Sequence, residues 1–378
     1  GVGLDLTRAA VDLALDLVAI PSPSGEEREI ADALHAALSV HPHLRVLRDG
    51  DTLVARTELG RAERVVVAGH LDTVPAAAGL VPALVDGVLR GRGSVDMKAG
   101  VAAMAHLAAT LDRPSRDVTW VFYDHEEVAR DLNGLRRVIV RHPEWVTGTF
   151  AVLGEPTSAR LEGGCNGSIR VRATLAGKAA HAARAWLGAN AIHAAAPLLE
   201  RLARYTPARV RVDGLEYRES LNAVLISGGT ATNVIPDRCT VTVNYRFAPD
   251  KTVDDAVRHL SAVLTGADAG SDAGADAGPD SGPATDAGLA LEVVDRAPGA
   301  RPGLEVAGAK EFARVVARHG GGEPTAKVGW TDVAQFAELG IPAVNCGPGD
   351  PGLAHADNEH CPLGQIDTYT RILREWLG

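Results

Sequence analysis

The sequence predicts an α/β fold: a central sheet flanked by helices, interrupted by a smaller inserted α+β domain. Three observations indicate this fold. Short β-branched strands alternate with helical stretches over the first 153 residues, strands with alternating polar and apolar residues follow, and the α/β pattern resumes near Pro302. A chain of 378 residues is long enough for two or three domains.

The first region carries the elements of a largely parallel sheet. Strands are predicted at 64–69, 117–123 and 150–153, and a helix rich in small residues at 97–111. Because strands separated by helices pair in parallel, their carboxyl ends meet at one edge, where α/β sheets assemble their sites. After the insert, we expect a helix at 305–319 and an apolar strand at 342–345.

The middle of the chain has a different pattern. Residues 168–175 and 240–247 alternate as half-exposed strands do, and residues 189–204 and 252–264 have helical periodicity.

We therefore expect a discontinuous catalytic domain, residues 1–167 and 297–378, interrupted by an insert at 168–296. Residues 266–288 of the insert are nearly all Gly, Ala, Asp, Ser and Pro. Such a segment cannot bury enough apolar surface to order itself, so it is predicted to be a disordered surface loop.

Composition and charge argue against several classes of protein. A net charge of −10 without a basic stripe argues against nucleic acid as the main partner. No stretch reaches the roughly 18 apolar residues that span a bilayer, and the N-terminal segment has the pattern of an amphipathic helix, unlike a signal peptide. The four scattered cysteines form no CxxC pair, and we expect a protein of the reducing cytoplasm.

Two polar motifs follow the first predicted strand. In GHLDTVP (69–75), His70 and Asp72 are two residues apart at a strand end, so they point to the same side. Asp72 can hold the imidazole or a neighbouring catalytic group, while the free nitrogen of His70 binds a metal. In GRGSVDMKAG (91–100), Asp96 follows a two-glycine turn. Alone, Asp96 is more typical of a helix N-cap, although its two oxygens could bridge two cations.

Three further motifs place titratable side chains after apolar strands. The adjacent Glu126 and Glu127 in YDHEEV could divide two roles, general base and metal ligand. Glu155 follows the short third strand in LGEPT, and His355 lies in a Gly/Pro-rich loop near the C-terminus. Each is weak alone, but two histidines and three carboxylates at strand ends suit a pair of borderline cations such as zinc.

Taken in order, these motifs resemble those of the dizinc amidohydrolases, the family of aminoacylases, acetylornithine deacetylase, glutamate carboxypeptidases and succinyl-diaminopimelate desuccinylase. GHLDTVP, GRGSVDMKAG, YDHEEV, LGEPT and LAHADNEH match in order and spacing over nearly the whole chain. Within the family, the sequence most resembles the actinobacterial desuccinylases, through stretches such as GWTDVAQFAELGIPAVNCGPGDPGLAH (329–355).

The resemblance implies a role for each site residue and two Zn²⁺ ions per subunit, with Co²⁺ as a possible substitute. Asp96 would bridge the metals, with a cis peptide following it, and Asp72 would support His70. Glu126 would be the general acid/base. The remaining metal ligands divide into two pairs: His70 with Glu155, and Glu127 with His355.

The insert would supply the contacts to the substrate and the dimer interface. His181 would reach the active site of a partner subunit and stabilise the oxyanion, and Asn233, Arg246 and Thr331 would bind substrate. A homodimer is therefore expected, with a dimerisation (lid) role for the insert. His125, before the glutamate pair, departs from the family pattern and could alter the pH response near Glu126.

The expected reaction is hydrolysis of N-succinyl-LL-2,6-diaminopimelate to succinate and LL-2,6-diaminopimelate, in lysine and cell-wall synthesis. Another amidohydrolase of the family, such as an acetylornithine deacetylase or a dipeptidase or carboxypeptidase, is the closest alternative. A non-catalytic metal-binding homologue and a carboxylate-rich phosphodiesterase are the alternatives from other classes. The phosphodiesterase is thinly supported, since only Arg92 and Lys98 lie near the motifs.

Overall fold

The computed structural model describes residues 1–267 and 288–378. Most of the loop predicted to be disordered, residues 268–287, lies outside these described residues. The described chain forms two compact units. The first comprises residues 1–164, 302–326 and 332–378, and the second comprises residues 165–301 and 327–331.

Helices occur in both units, and their bounds follow in chain order. They are α1 (Ala10–Val18), α2 (Arg28–Ser39), α3 (Lys98–Thr110), α4 (Gly134–Arg141), α5 (Ala191–Ala194), α6 (Ala196–Arg204), α7 (Val253–Thr265), α8 (Ala307–Arg318), α9 (Val333–Glu338) and α10 (Leu363–Leu377). Short 3₁₀ turns lie at Arg130–Leu132, Pro143–Trp145, Ala182–Leu187 and Pro351–Leu353. The described helices include none that is both long enough and apolar enough to cross a bilayer.

The strands are more numerous and mostly short. They are β1 (Arg45–Asp49), β2 (Thr52–Arg56), β3 (Arg64–His70), β4 (Ala83–Val85), β5 (Val88–Arg90), β6 (Asp117–Tyr123), β7 (Phe150–Leu153), β8 (Glu162–Gly163), β9 (Gly167–Ala176), β10 (Ala180–His181), β11 (Arg209–Val212), β12 (Leu215–Arg218), β13 (Ser220–Gly228), β14 (Val234–Ile235), β15 (Arg238–Phe247), β16 (Leu289–Ala297), β17 (Thr325–Ala326), β18 (Ala343–Asn345) and β19 (His360–Pro362).

The first unit is built on an eight-stranded mixed sheet in the order β1-β2-β6-β3-β7-β18-β8-β17. Its middle strands, β6, β3, β7 and β18, run parallel. Strands β1 and β2 pair antiparallel with their neighbours, whereas β8 pairs antiparallel with β18 and parallel with β17. The α/β prediction is confirmed, and the parallel arrangement holds for the central strands. Continuous apolar runs such as Val65–Ala68 form these strands because helices cover the sheet, and α1, α3, α8 and α10 contribute to one buried cluster.

The second unit contains a four-stranded antiparallel sheet in the order β13-β15-β9-β16. Alternate residues of β9 and β15, such as Val171 and Val243, face a core formed with helices α6 and α7. The intervening residues are polar and more exposed, for example Arg170 and Arg172. The alternation in the sequence therefore reflects one face covered by helices and one polar face.

Candidate metal centre

Three of the predicted site residues of the first unit, His70, Glu126 and Glu155, lie at or just after the carboxyl ends of adjacent parallel strands. His70 is the last residue of β3 and is paired in register with Tyr123, the last residue of β6. Glu126 follows β6, and Glu155 follows β7, which is parallel to β3 on its other side. Because the three strands run parallel, residues far apart in the chain meet at one edge of the sheet.

His70 is fully buried, and its two ring nitrogens face different partners. Nδ1 lies 2.9 Å from the backbone oxygen of Asp72, and Nε2 lies 2.9 Å from Oδ1 of Asp96. The carbonyl can only accept, so Nδ1 carries a proton and Nε2 is the nitrogen available to a cation. Burial lowers the pKa of His70, but the carboxylates of Glu155, Asp72 and Asp96 outweigh it and raise the pKa well above its usual value.

Asp96 lies between the two histidines. Its Oδ1 faces His70, and its Oδ2 lies 3.2 Å from Nε2 of His355, which is 2.8 Å from Oε1 of Glu127. Oε1 of Glu155 is 3.7 Å from Nε2 of His70. The five side chains thus form two groups that share Asp96. The Asp96–Met97 peptide bond is cis, as the resemblance implies.

The carboxylate of Asp72 lies closer to the backbone of the glutamate pair than to His70. It accepts hydrogen bonds from the backbone N–H groups of Glu126, at 2.9 Å, and Glu127, at 3.0 Å, whereas Nδ1 of His70 is 3.5 Å away. Ser24, which the sequence analysis did not single out, donates to the same carboxylate at 2.6 Å. Burial raises the pKa of Asp72, but these donors and His70 lower it to about 2. Asp72 therefore holds the backbone of the glutamate pair.

The glutamates themselves lie in a crowded anionic environment. Burial raises the pKa of Glu126 well above its usual value, His70 lowers it, and the carboxylates of Glu155 and Glu127 add to the increase. Burial and the nearby Asp96 likewise raise the pKa of Glu127, against the hydrogen bond from His355. Among the described residues, His70, Asp96 and Glu127 offer ligand atoms within 4.8 Å of one another. Nitrogen and carboxylate donors packed this closely fit a divalent cation, which would offset the repulsion.

His125 lies beside this cluster but contacts other groups. Its Nδ1 is 2.5 Å from Oδ2 of Asp124, and its backbone N–H donates to the buried Glu27 at 3.1 Å. Asp124 also accepts from Arg137 and Thr52. Although Glu27, Asp124 and His125 are close enough to hold an ion, these contacts already engage Asp124. An influence of His125 on the pH response near Glu126 stays a prediction.

The two cations that could support a phosphodiesterase are engaged elsewhere. Arg92 donates to Oε1 of the buried Glu359 at 2.8 Å, and Nζ of the buried Lys98 donates to the backbone oxygen of Ile20 at 2.6 Å. Burial lowers the pKa of Lys98 to about 7. Neither side chain is available to bind a phosphate, so this alternative loses its only support.

The remaining predicted residues belong to the second unit. His181 is exposed at the end of β10, and its Nδ1 accepts from the N–H of Ala183 at 3.0 Å. Asn233 is adjacent to it in the fold, since its backbone oxygen accepts from Ala182. Arg246 is half-buried on the polar face of the sheet, and Thr331 is buried in the segment 327–331.

Comparisons with known proteins place the chain in a family. The model for peptidase family M20/M25/M40 matches residues 66–378. A Mycobacterium tuberculosis protein named "Putative succinyl-diaminopimelate desuccinylase DapE" is 45% identical over 376 residues, covering 99% of each chain. A Corynebacterium glutamicum protein named "Succinyl-diaminopimelate desuccinylase" is 42% identical over 383 residues, covering 100% of this chain and 98% of its own.

A solved structure has the same fold at low sequence identity. A Bacillus subtilis protein described as "a Dinuclear Metal Binding Peptidase from M20 Family" superposes with a TM-score of 0.71 at 15% identity, covering 97% of this chain and 96% of its own. The family model and the full-length relatives agree with the motifs at the strand ends. The chain therefore belongs to the M20 peptidase family, whose members include dinuclear metal hydrolases.

Proposed function

We propose that this protein hydrolyses the amide bond of N-succinyl-LL-2,6-diaminopimelate, releasing succinate and LL-2,6-diaminopimelate. The observation that carries the proposal is the arrangement around Asp96, whose two oxygens face His70 and His355 within a cluster of glutamates. The choice of substrate is supported by the names of the two full-length relatives.

Two Zn²⁺ ions fit the donor set, with Co²⁺ as a possible substitute. We propose that Asp96 bridges them, that His70 and Glu155 complete one site, and that Glu127 and His355 complete the other. Imidazole and carboxylate are ordinary zinc donors, and a catalytic site needs a position left for water or substrate. Bound zinc supplies polarisation of the amide carbonyl and lowers the pKa of water towards about 7.

Glu126 is the proposed general base and acid. Its backbone N–H is fixed by Asp72, and its Oε2 is 4.0 Å from Nε2 of His70, too far for a hydrogen bond. Its backbone is therefore fixed, while its carboxylate is not hydrogen-bonded to His70. It would take a proton from the attacking water and deliver it to the departing amine, and a raised pKa suits this dual role.

The hydrogen bonds of His181 and Arg246 leave each side chain with donors for its proposed role. Because Nδ1 of His181 accepts from a backbone N–H, its Nε2 carries the proton and can donate to an oxyanion. Arg246 has no salt-bridge partner among the described residues, so its guanidinium can bind a substrate carboxylate in a bidentate manner. N-succinyl-diaminopimelate carries several carboxylates. Asn233 and Thr331 are proposed as further substrate contacts.

A homodimer is proposed through the strand β13. This strand lies at the edge of the four-stranded sheet, and its residues Val224, Leu225 and Ile226 are 52%, 68% and 57% exposed. A long apolar edge strand can pair with a strand of another chain, and β13 of a second copy would supply that strand. A His181 shared with the partner's site would then follow.

Replacing Leu225 by Lys should convert the dimer into monomers, because a charge on an apolar edge opposes strand pairing. Sedimentation of the variant measures this, and Arg172→Lys, on the polar face of the same sheet, is the control. Activity of a mixture of His181→Ala and Glu126→Gln subunits would support a shared site. No recovered activity in the mixture would count against it.

The substrate proposal is tested with the purified, zinc-loaded protein. Turnover of N-succinyl-LL-2,6-diaminopimelate is compared with that of N-acetylornithine and a set of dipeptides, in the same buffer. We expect kcat/KM to be highest for the succinylated substrate. A preference for the acetylated substrate or dipeptides would favour the alternatives within the family, and no turnover of any would favour a non-catalytic homologue.

A further inference from the structure

A buried carboxylate outside the proposed ligand set holds the turn that ends in Asp96. Glu359, four residues after His355, is fully buried. Its Oε2 accepts three backbone hydrogen bonds, from the N–H groups of Gly93 at 3.0 Å, Val95 at 2.8 Å and Asp96 at 3.1 Å. The φ of +87° at Gly93, a conformation that favours glycine, lets these N–H groups converge on one oxygen.

The other oxygen of Glu359 forms a buried ion pair with Arg92. Nη1 of Arg92 donates to Oε1 at 2.8 Å and also to the backbone oxygen of Ala356, the neighbour of His355, at 3.0 Å. Its Nε donates to the backbone oxygen of Pro75 at 3.0 Å. The pair therefore connects three segments: the loop after His70, the turn before Asp96 and the loop that carries His355.

We propose that Glu359 and Arg92 are positioning residues of the metal centre, acting on Asp96 and His355 through their backbones. This inference rests on the proposed metal site. One of the N–H groups that Glu359 binds is that of Asp96 itself. The carboxylate of Glu359 therefore fixes the backbone position from which the Asp96 side chain extends. His355 is half-exposed with a φ of +66°, and Arg92 holds the carbonyl of the next residue.

The energetic consequence of losing Glu359 follows from burial. Removing its charge leaves Arg92 buried without a counter-ion and leaves part of the N–H groups without an acceptor. A glutamine has the same size but offers one acceptor and one donor, and the donor must face either Arg92 or the N–H groups. The turn before Asp96 and the loop that carries His355 would then shift. The side chains of Asp96 and His355 would no longer be held in the relative positions that the proposed metal site needs.

A matched control exists at the amino end of β6, the strand whose carboxyl end precedes Glu126 and Glu127. Asp117 begins β6 and is also buried; it accepts from the N–H groups of Leu59 and Arg61, each at 2.8 Å. Asp117→Asn therefore removes a buried carboxylate that binds backbone donors in the same unit, away from the proposed ligands. Comparing this variant with Glu359→Gln separates a general loss of stability from a specific loss of ligand positioning.

The test compares metal-free Glu359→Gln, Asp117→Asn and the parent protein. The Zn²⁺ dissociation constant is measured by competition with a chromophoric chelator, and the Tm of each metal-free form is measured alongside. We expect Glu359→Gln to bind zinc about 10- to 100-fold more weakly, the range typical of residues that orient ligands. Asp117→Asn should lower the Tm with a change in zinc affinity below about 3-fold, since it touches no ligand segment.

Equal zinc affinity in the parent and Glu359→Gln would overturn the inference, as would equal weakening in both variants. A parent protein that binds no zinc would instead overturn the proposed metal site. If Glu359→Gln does not fold, Arg92→Lys replaces it. That variant keeps the charge but cannot reach both carbonyls and Glu359 with a planar fork, and it should also weaken zinc binding beyond Asp117→Asn. Unchanged affinity in Arg92→Lys would reject the positioning role.

Discussion

The two ends of the paired strands β3 and β6 both carry buried carboxylates, but their surroundings differ. At the amino end, Asp117 accepts from Thr57, Leu59 and Arg61, each at 2.8 Å. Burial raises its pKa, but these donors outweigh it and lower the pKa. At the carboxyl end, the pKa values of Glu126 and Glu127 are raised, because burial and neighbouring carboxylates act together.

The difference lies in the hydrogen-bond donors, since burial is common to both ends. Asp72, at the carboxyl end, resembles Asp117: it accepts from backbone N–H groups, and its pKa is about 2. A buried carboxylate that has its own donors stabilises the fold. The side chains of Glu126 and Glu127 instead face other buried carboxylates, and the histidines nearby do not offset the rise in their pKa values. This balance is typical of a site for a cation or a proton and distinguishes it from a structural contact.

The largest effect is expected from Glu126→Gln. It should lower kcat by about 10²- to 10⁴-fold, the contribution typical of a general acid/base, while zinc content stays the same. Steady-state kinetics together with metal analysis measures both quantities. Asp117→Asn should keep its kcat because it lies at the other strand end. A kcat of Glu126→Gln within tenfold of the parent value would contradict the assignment of Glu126 as the general base.

A smaller effect is expected on thermal stability when the metal is removed. Zinc at a hundred times its dissociation constant should stabilise the protein by about 2.7 kcal/mol, because it binds only the folded chain. Chelation should therefore lower the Tm of the parent and of Asp117→Asn equally, as measured by differential scanning fluorimetry. Asp96→Asn should lose most of this difference, since its carboxylate faces both histidines. A full zinc-dependent increase in Asp96→Asn would contradict the bridging assignment.

The smallest effect is the pH dependence that Asp117 contributes. A carboxyl group whose pKa is lower in the folded than in the unfolded state stabilises the fold above its unfolded pKa, about 4. That contribution is lost as the pH falls through the folded value. The Tm difference between the parent and Asp117→Asn should therefore be largest above about pH 5 and shrink in acid. A difference that stays constant down to pH 3 would show that the charge of Asp117 contributes nothing.

Much of the fold could be predicted from periodicity. The strands at 64–69, 117–123 and 150–153 and the helix at 97–111 correspond to β3, β6, β7 and α3 within one or two residues. The edge strand β13 was not predicted, because its residues SLNAVLISG do not alternate. Most of them are exposed, so neither face of this strand leaves a pattern in the sequence.

The sequence by itself determined which residue types stand after the apolar strands, and the order of the motifs determined the family. Local periodicity and strand ends are properties of neighbouring residues, so they can be read along the chain. Only the tertiary structure decided which oxygen of Asp96 faces which histidine, and that Asp72 holds the glutamate backbone. Arg92 and Glu359 are 267 positions apart. Contacts over such a distance depend on how the strands assemble, and no local pattern encodes them.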